Sequence, residues 1–266
     1  MDEYIEIVAY VMFAIVGLCV GSFLNVVIYR VPNKMNLAFP ASHCTTCDYT
    51  LKWYDNIPVL SYLMLGGKCR SCKQRISPRY MLVEIFNALL WTLSVLMFWD
   101  STAEGRIYAI TAAVISSVLI CIFFIDLEHM LIFNRFTIIV AVSGLSTMFT
   151  DSFTEWYDHL IGALAGGAVF LAIYFGAILI LKREGLGFGD VKLAAAAGFA
   201  LGWQKLILAM LIASVVGSVV LLLLKLIRKD EKSTEYPFGP FMSAGILLAL
   251  FFGSPVINWY LGLIFG

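Results

Sequence analysis

Six residues in this 266-residue chain have the types and spacing to carry chemistry. Four are cysteines in two pairs, Cys44-Thr45-Thr46-Cys47 and Cys69-Arg70-Ser71-Cys72, with 21 residues between the pairs. Each Cys-x-x-Cys can turn two thiolates toward one point, and two such knuckles close a tetrahedral four-sulfur site that suits Zn²⁺. Lys68, Arg70 and Lys73 lie close by in sequence and favour thiolates. With four protein ligands no coordination position stays open, so the expected metal is structural. Two disulfides or a redox dithiol are the other readings of the same residues. The remaining two residues are Asp126 and Asp190, the latter in Gly187-Phe188-Gly189-Asp190. Two carboxyls that approach closely cannot both ionise easily. The ionised one can activate water while the protonated one polarises and protonates an amide carbonyl. Gly187 and Gly189 lack a Cβ, so a substrate backbone could come close to Asp190. Taken alone, Gly-x-Gly-Asp is also what a helix-capping aspartate in a glycine-rich turn would give.

The elements that must position these groups are membrane spans. The chain is 61% hydrophobic and 14% charged, against roughly 25% charged in soluble domains. That composition excludes disorder, coiled coil and an ordinary soluble enzyme. A formal net charge of zero disfavours a nucleic-acid binder. Uncharged apolar runs cover Ile7–Tyr29, Met81–Trp99, Ile107–Ile125, Leu131–Phe149, Leu160–Leu181, Leu206–Leu224 and the stretch after Pro240. Leu193–Trp203 is too short to cross alone and would need shelter from its neighbours. Counting it, the chain is expected to be an all-α polytopic membrane protein of about eight transmembrane helices, with a small cysteine-rich insert. The last span is expected to break at Gly253-Ser254-Pro255.

With eight spans and an outside N-terminus, only Arg106 and Lys205 of the 18 Lys and Arg residues fall outside. The acidic N-terminus, with Asp2, Glu3 and Glu6, reads as an anchor that is retained rather than cleaved. This map puts the cysteine insert in the reducing cytoplasm, which disfavours disulfides. Two spans separate Asp126 from Asp190, so both are expected at the cytoplasmic edge of the bilayer. The expected organisation is a first transmembrane helix over 1–29, a cytoplasmic four-cysteine insert over 30–80, and a transmembrane aspartic peptidase core over 81–266. Cys19 and Cys121 are expected to be packing residues. Gly162, Gly166 and Gly167 suggest close helix packing. Glu84 is a candidate for methyl transfer or for pairing with Arg79, and a structural or positioning role is favoured.

Further runs sharpen the reading. They are Gly21-Ser22-Phe23-Leu24-Asn25-Val26-Val27-Ile28-Tyr29-Arg30 with Pro32, Ser42-His43-Cys44, Trp53-Tyr54-Asp55-Asn56-Ile57-Pro58, Gly67-Lys68-Cys69-Arg70, Arg79-Tyr80, Val83-Glu84 and Ile125-Asp126. With Gly187-Phe188-Gly189-Asp190 and Lys192, they resemble the type IV prepilin peptidases, bifunctional leader peptidases and N-methyltransferases of bacterial inner membranes. The resemblance spans most of the chain. It implies a Gly-x-Gly-Asp intramembrane aspartic protease in the inner membrane, with Asp126 and Asp190 as the catalytic pair. It implies cleavage of a short basic leader from prepilins or pseudopilins on the cytoplasmic face. N-methylation of the new N-terminus with S-adenosylmethionine is implied as well, although no Gly-x-Gly-x-x-Gly unit for that cofactor is present. Where the family usually shows Leu-Pro-Asp after the first aspartate, this chain has Ile132-Phe133-Asn134. Glu128, Glu184, Asp230, Glu231 and Glu235 are candidates to attract a basic leader. An ion-coupled transporter using the two aspartates and a non-enzymatic zinc-bearing scaffold are the competing functions. No internal repeat supports the first, and a scaffold gives no reason for both aspartates to reach one face.

Overall fold

A computed structural model describes residues 2–182, 186–228 and 236–265. Glu184, Asp230, Glu231 and Glu235 lie outside the described residues. The described chain is helical with no strand: α1 Asp2–Arg30, α2 Leu60–Met64, α3 Arg79–Phe98, α4 Ala103–His129, α5 Asn134–Thr150, α6 Trp156–Leu181, α7 Phe188–Leu201, α8 Trp203–Arg228 and α9 Gly239–Phe265. Six of these (α1, α3, α4, α6, α8 and α9) are long and apolar enough to cross a membrane. Helix α5, at 17 residues, and α7, at 14, fall short of that measure.

The chain divides into two compact units, Met1–Trp99 and Asp100–Gly266. In the first, α1 packs along α3. Gly17 and Gly21 make the close approach possible: a Cβ on Gly17 would meet Ala88 Cα at 2.8 Å, and one on Gly21 would meet Glu84 Cα at 2.7 Å. Buried Asn87 then donates from Nδ2 to the Gly17 carbonyl at 2.7 Å. This pair of small residues four apart is the helix-contact pattern that membranes favour. Helix α3 therefore groups with α1 and the insert rather than with the residues that follow it.

In the second unit α4 is the central helix, buried along most of its length. Thr102 caps its start by accepting the Gly105 N–H at 3.0 Å. Its other end runs one turn past Asp126 before Met130 turns left-handed, with φ 54°, to stop it. Asp126 is thus inside a helix rather than just beyond one. Helix α7 is short but sheltered, packing on α5, α6 and α8. Gly162 and Gly166 of α6 face the Gly198 and Ala194 carbonyls of α7, whereas Gly167 makes only an ordinary contact. Helix α9 does not break at Gly253-Ser254-Pro255; it continues unbroken to Phe265. Pro255 removes one backbone donor, which a packed apolar helix tolerates. Gly253 serves packing instead, since a Cβ there would meet the Lys205 stem at 3.0 Å.

Candidate active site and candidate metal centre

Asp126 sits near the end of α4 and is 5% exposed. Its Oδ2 accepts the Gly239 N–H at 2.9 Å, at the first residue of α9. A Cβ on Gly239 would stand 2.5 Å from that same oxygen, so only glycine lets the amide approach this way. The sequence reading missed Gly239. The available signal was a glycine between prolines, in Pro237-Phe238-Gly239-Pro240.

Asp190 lies in the first turn of α7 and is 7% exposed. Its Oδ2 accepts the Gly187 N–H at 3.1 Å, so the residue does cap its own helix. The other oxygen, Oδ1, is buried and has no hydrogen-bond partner. The two carboxylates are near enough to interact electrostatically. Neither has an ion-pair partner among the described residues. A buried carboxylate held this way is costly unless its site has a use for it.

The two glycines of the motif behave differently. Gly187 is exposed, in ordinary extended geometry at φ −71° and ψ 141°. A Cβ on Gly189 would meet Ile132 Cβ at 2.8 Å, so here the missing side chain makes room for Ile132. Neither glycine uses a left-handed conformation. Asn134, where the family pattern has an acidic residue, accepts from Lys192 Nζ at 2.9 Å. Glu128, two residues beyond Asp126 on the same helix, is exposed.

In the other unit the four cysteine sulfurs all lie within 4.8 Å of one another. The Cys44–Cys72 and Cys47–Cys69 separations are both 3.9 Å. Four sulfurs about 2.3 Å from a tetrahedral Zn²⁺ would be about 3.8 Å apart, so the set fits that ion. The two knuckles are built alike. Cys44 N–H donates to Tyr49 O and Asp48 N–H to Cys44 O, while Cys69 N–H donates to Gln74 O and Lys73 N–H to Cys69 O. The residue after each second cysteine, Asp48 or Lys73, turns left-handed at φ 53° or 60°. Antiparallel bridges His43–Thr50 and Lys68–Arg75 close each knuckle.

Buried Asp55 ties the intervening loop to the second knuckle through Arg70 Nε, at 2.7 Å. Burial works to raise the Asp55 carboxyl. Its bonds from Arg70, the Lys52 N–H and the Tyr49 hydroxyl outweigh burial and hold it below the usual carboxylate range. Among the thiols, backbone N–H groups of Thr46 and Cys47 draw Cys44 down to about 6. At Cys72 the Gln74 N–H works downward, but the neighbouring sulfurs and burial together push the thiol up to about 11. Of the other cysteines, Cys121 is buried as a packing residue, whereas Cys19 is exposed.

Residues 15–98 match the model of the bacterial peptidase A24 N-terminal domain, and residues 113–222 match that of the type IV leader peptidase family. The chain is 36% identical to the prepilin leader peptidase/N-methyltransferase of Aeromonas salmonicida (strain A449), over 93% of this chain and 92% of that protein. It is 34% identical to the protein of the same name from Pseudomonas putida, over 91% and 90%. The Pseudomonas aeruginosa protein of that name is 33% identical, over 93% and 91%. No solved structure matches. With both family models in register and relatives that align almost end to end, the chain belongs to the type IV leader peptidase family.

Proposed function

We propose that this protein is a prepilin peptidase of the bacterial inner membrane that removes the short basic leader of type IV prepilins or pseudopilins and then N-methylates the new N-terminus. The observation that carries the peptidase reading is the pair Asp126 and Asp190: both buried, mutually within electrostatic reach, without a cation, and with one Asp190 oxygen unengaged. The pair shares one proton. Its ionised member takes a proton from the attacking water, and its protonated member donates to the scissile carbonyl. Gly239 fixes one Asp126 oxygen and Gly187 fixes one Asp190 oxygen, leaving the others for the reaction. Exposed Gly187 leaves the approach to Asp190 free of a side chain.

All of these groups belong to residues 81–266, the peptidase core, and within it to the unit beginning at Asp100. Eight crossings, with α5 and α7 counted among them, put the pair at the cytoplasmic face. There exposed Glu128 attracts the basic leader. The distribution of basic residues and the shelter around α7 support that orientation. Methyl transfer would use S-adenosylmethionine, as the relatives' names suggest.

Co-expression with a prepilin tests the peptidase reading. Asp126→Asn and Asp190→Asn each abolish the size shift on leader removal while the protein level stays normal. Cleavage that persists in either variant refutes the pair. The Cys44, Cys47, Cys69 and Cys72 set holds one structural Zn²⁺ and organises the insert, which is too small for a strong core of its own. Metal analysis under reducing conditions should give about one ion per chain, lost in Cys44→Ser. Metal binding needs thiolates, so protons compete with it. The Cys72 thiol, near 11, is protonated at neutral pH and must release its proton, so affinity rises with pH across the neutral range. Below about 6 the Cys44 thiol is protonated too, and affinity falls more steeply. Affinity that does not change with pH would exclude four-thiolate ligation.

A further inference from the structure

The Met1–Trp99 unit contains a cavity of about 820 Å³, walled by α1, the cysteine insert and the first turns of α3. That volume is in the range of small-molecule sites. Its cysteine wall includes Cys44 and Cys69 of the metal set. The peptidase reading makes no use of it.

Two polar groups in the wall are not accounted for by the fold. Asn25 is 4% exposed. Its Nδ2 donates to the Gly21 and Tyr80 carbonyls at 3.3 and 3.0 Å, while its buried Oδ1 accepts from no group. Glu84, 9% exposed, accepts the Val59 N–H at 2.8 Å and the Ser22 hydroxyl. It forms no ion pair among the described residues, with Arg79 or with any other cation. Two arginines that line the cavity are engaged elsewhere. Arg30 donates to the Asn36, Leu37 and Pro40 carbonyls, and Arg70 is held by Asp55.

The backbone at Val59 points the same way. Val59 has φ 61° and ψ −51°, and Leu60 N–H closes on Pro58 O at 2.6 Å. A β-branched residue in this tight turn is strained. The N–H of this strained residue is the one that the Glu84 carboxylate accepts. The carboxylate is thus fixed in place on the cavity wall rather than free to turn into solvent.

A buried uncompensated carboxylate and an orphaned acceptor in one cavity suit a ligand that brings positive charge and N–H or O–H donors. Apolar Phe23, Val26 and Leu65 offer surface for a flat base, and exposed Arg75 remains for a ligand carboxylate. We propose that this cavity binds S-adenosylmethionine, with Glu84 facing its sulfonium centre and Asn25 Oδ1 accepting one of its donors. The proposal rests on the methyl-transfer reading above and adds its location.

The test is ligand binding to the full-length protein in detergent, by calorimetry with S-adenosylmethionine and with its neutral thioether product S-adenosylhomocysteine. Glu84→Gln keeps an oxygen for the Val59 N–H but removes the charge. It should weaken the sulfonium ligand at least tenfold and the thioether distinctly less. Ala41→Trp, an exposed position on the cavity wall, should weaken both, and it carries the test if the Glu84 variant fails to fold. If the wild type binds and both variants match it for both ligands, the site lies elsewhere and the cavity proposal is overturned while methyl transfer stands. If Glu84→Gln weakens both ligands equally, the carboxylate is structural and its assigned role is wrong. If the wild type neither binds the donor nor methylates a cleaved prepilin, the methyl-transfer reading and this proposal fall together.

Discussion

The two ends of α4 treat a buried aspartate in opposite ways. Near its start, Tyr108 reaches Asp151, whose Oδ2 also takes Lys205 Nζ at 2.6 Å and whose Oδ1 takes the Phe153 N–H at 3.0 Å. Lys205 is 1% exposed and also faces the Tyr108 and Phe153 rings. Beside them His159, fully buried, bonds the Phe199 carbonyl and the Thr154 hydroxyl, and Asp158 takes the Trp203 indole N–H. Eighteen residues further along the helix, about 27 Å at 1.5 Å per residue, Asp126 has one backbone N–H and no cation. Asp190 in the same unit has one backbone N–H and one orphaned oxygen. The first end is a charge fully answered by protein and holds helices together. The second is a pair of carboxyl groups left partly unanswered, which is what a reaction with water and a peptide requires.

Neutralising the second end should therefore cost activity and not stability. In Asp126→Asn or Asp190→Asn, cleavage falls by at least the roughly 10²–10⁴-fold that general acid–base groups supply. The melting temperature in detergent stays level or rises, because a buried charge with no partner has been removed. A marked drop in stability would place these carboxylates with Asp151 as structural.

Neutralising the first end should do the reverse. Lys205→Met leaves Asp151 as an unpaired buried charge and costs about 3–5 kcal/mol of stability. The folded fraction still cleaves at the normal rate. Adding Asp151→Asn should recover most of the loss, since the uncompensated charge goes with it. If cleavage falls in both variants while stability does not, the two ends are not functionally separate.

Gly239→Ala tests the single contact that orients the unanswered end. The new Cβ stands 2.5 Å from Asp126 Oδ2, so the carboxyl or α9 must move. A displacement of about 1 Å at a reacting group can cost on the order of 100-fold in rate. Measured by single-turnover cleavage, the loss should fall on the chemical step and not on prepilin binding. Unchanged turnover would show that Asp126 is positioned without Gly239.

How much of this was legible depends on the range of the interaction. The apolar runs set the long helices because burial of about twenty consecutive residues is a local property of sequence. The Cys-x-x-Cys pairs announced the four-sulfur cluster because both knuckles are short local turns. The approach of the two aspartates was expected from the parity of crossings, which needs only the count of runs between them, and the structure brings them within electrostatic reach. Gly239 was not found, because its meaning is an N–H to a residue 113 positions earlier. Gly253-Ser254-Pro255 read as a break because local propensity says so. The Lys205 stem packed over Gly253 is a tertiary fact that overrides it. Gly17 and Gly21 were legible as a small-residue pair and were passed over, and with them the grouping of α3 with α1.

The smallest effect tests an exposed copy of the buried pair. Asn134 begins α5 and accepts from Lys192, and it stands where the family pattern has an acidic residue. Asn134→Asp turns that hydrogen bond into an ion pair at a helix N-terminus. Both the exposed pair and the helix-end charge contribute at most about 1 kcal/mol, and salt screens them. The melting temperature should rise slightly at low salt and return to the wild-type value at high salt. Lys205–Asp151, buried away from ions, should show no such salt dependence. Cleavage should stay within about twofold of wild type, because at an exposed site the new carboxylate is hydrated and Lys192 neutralises it. A larger change in either direction would mean that charge at position 134 is felt by Asp126 and Asp190, and that the unanswered end extends to the rim.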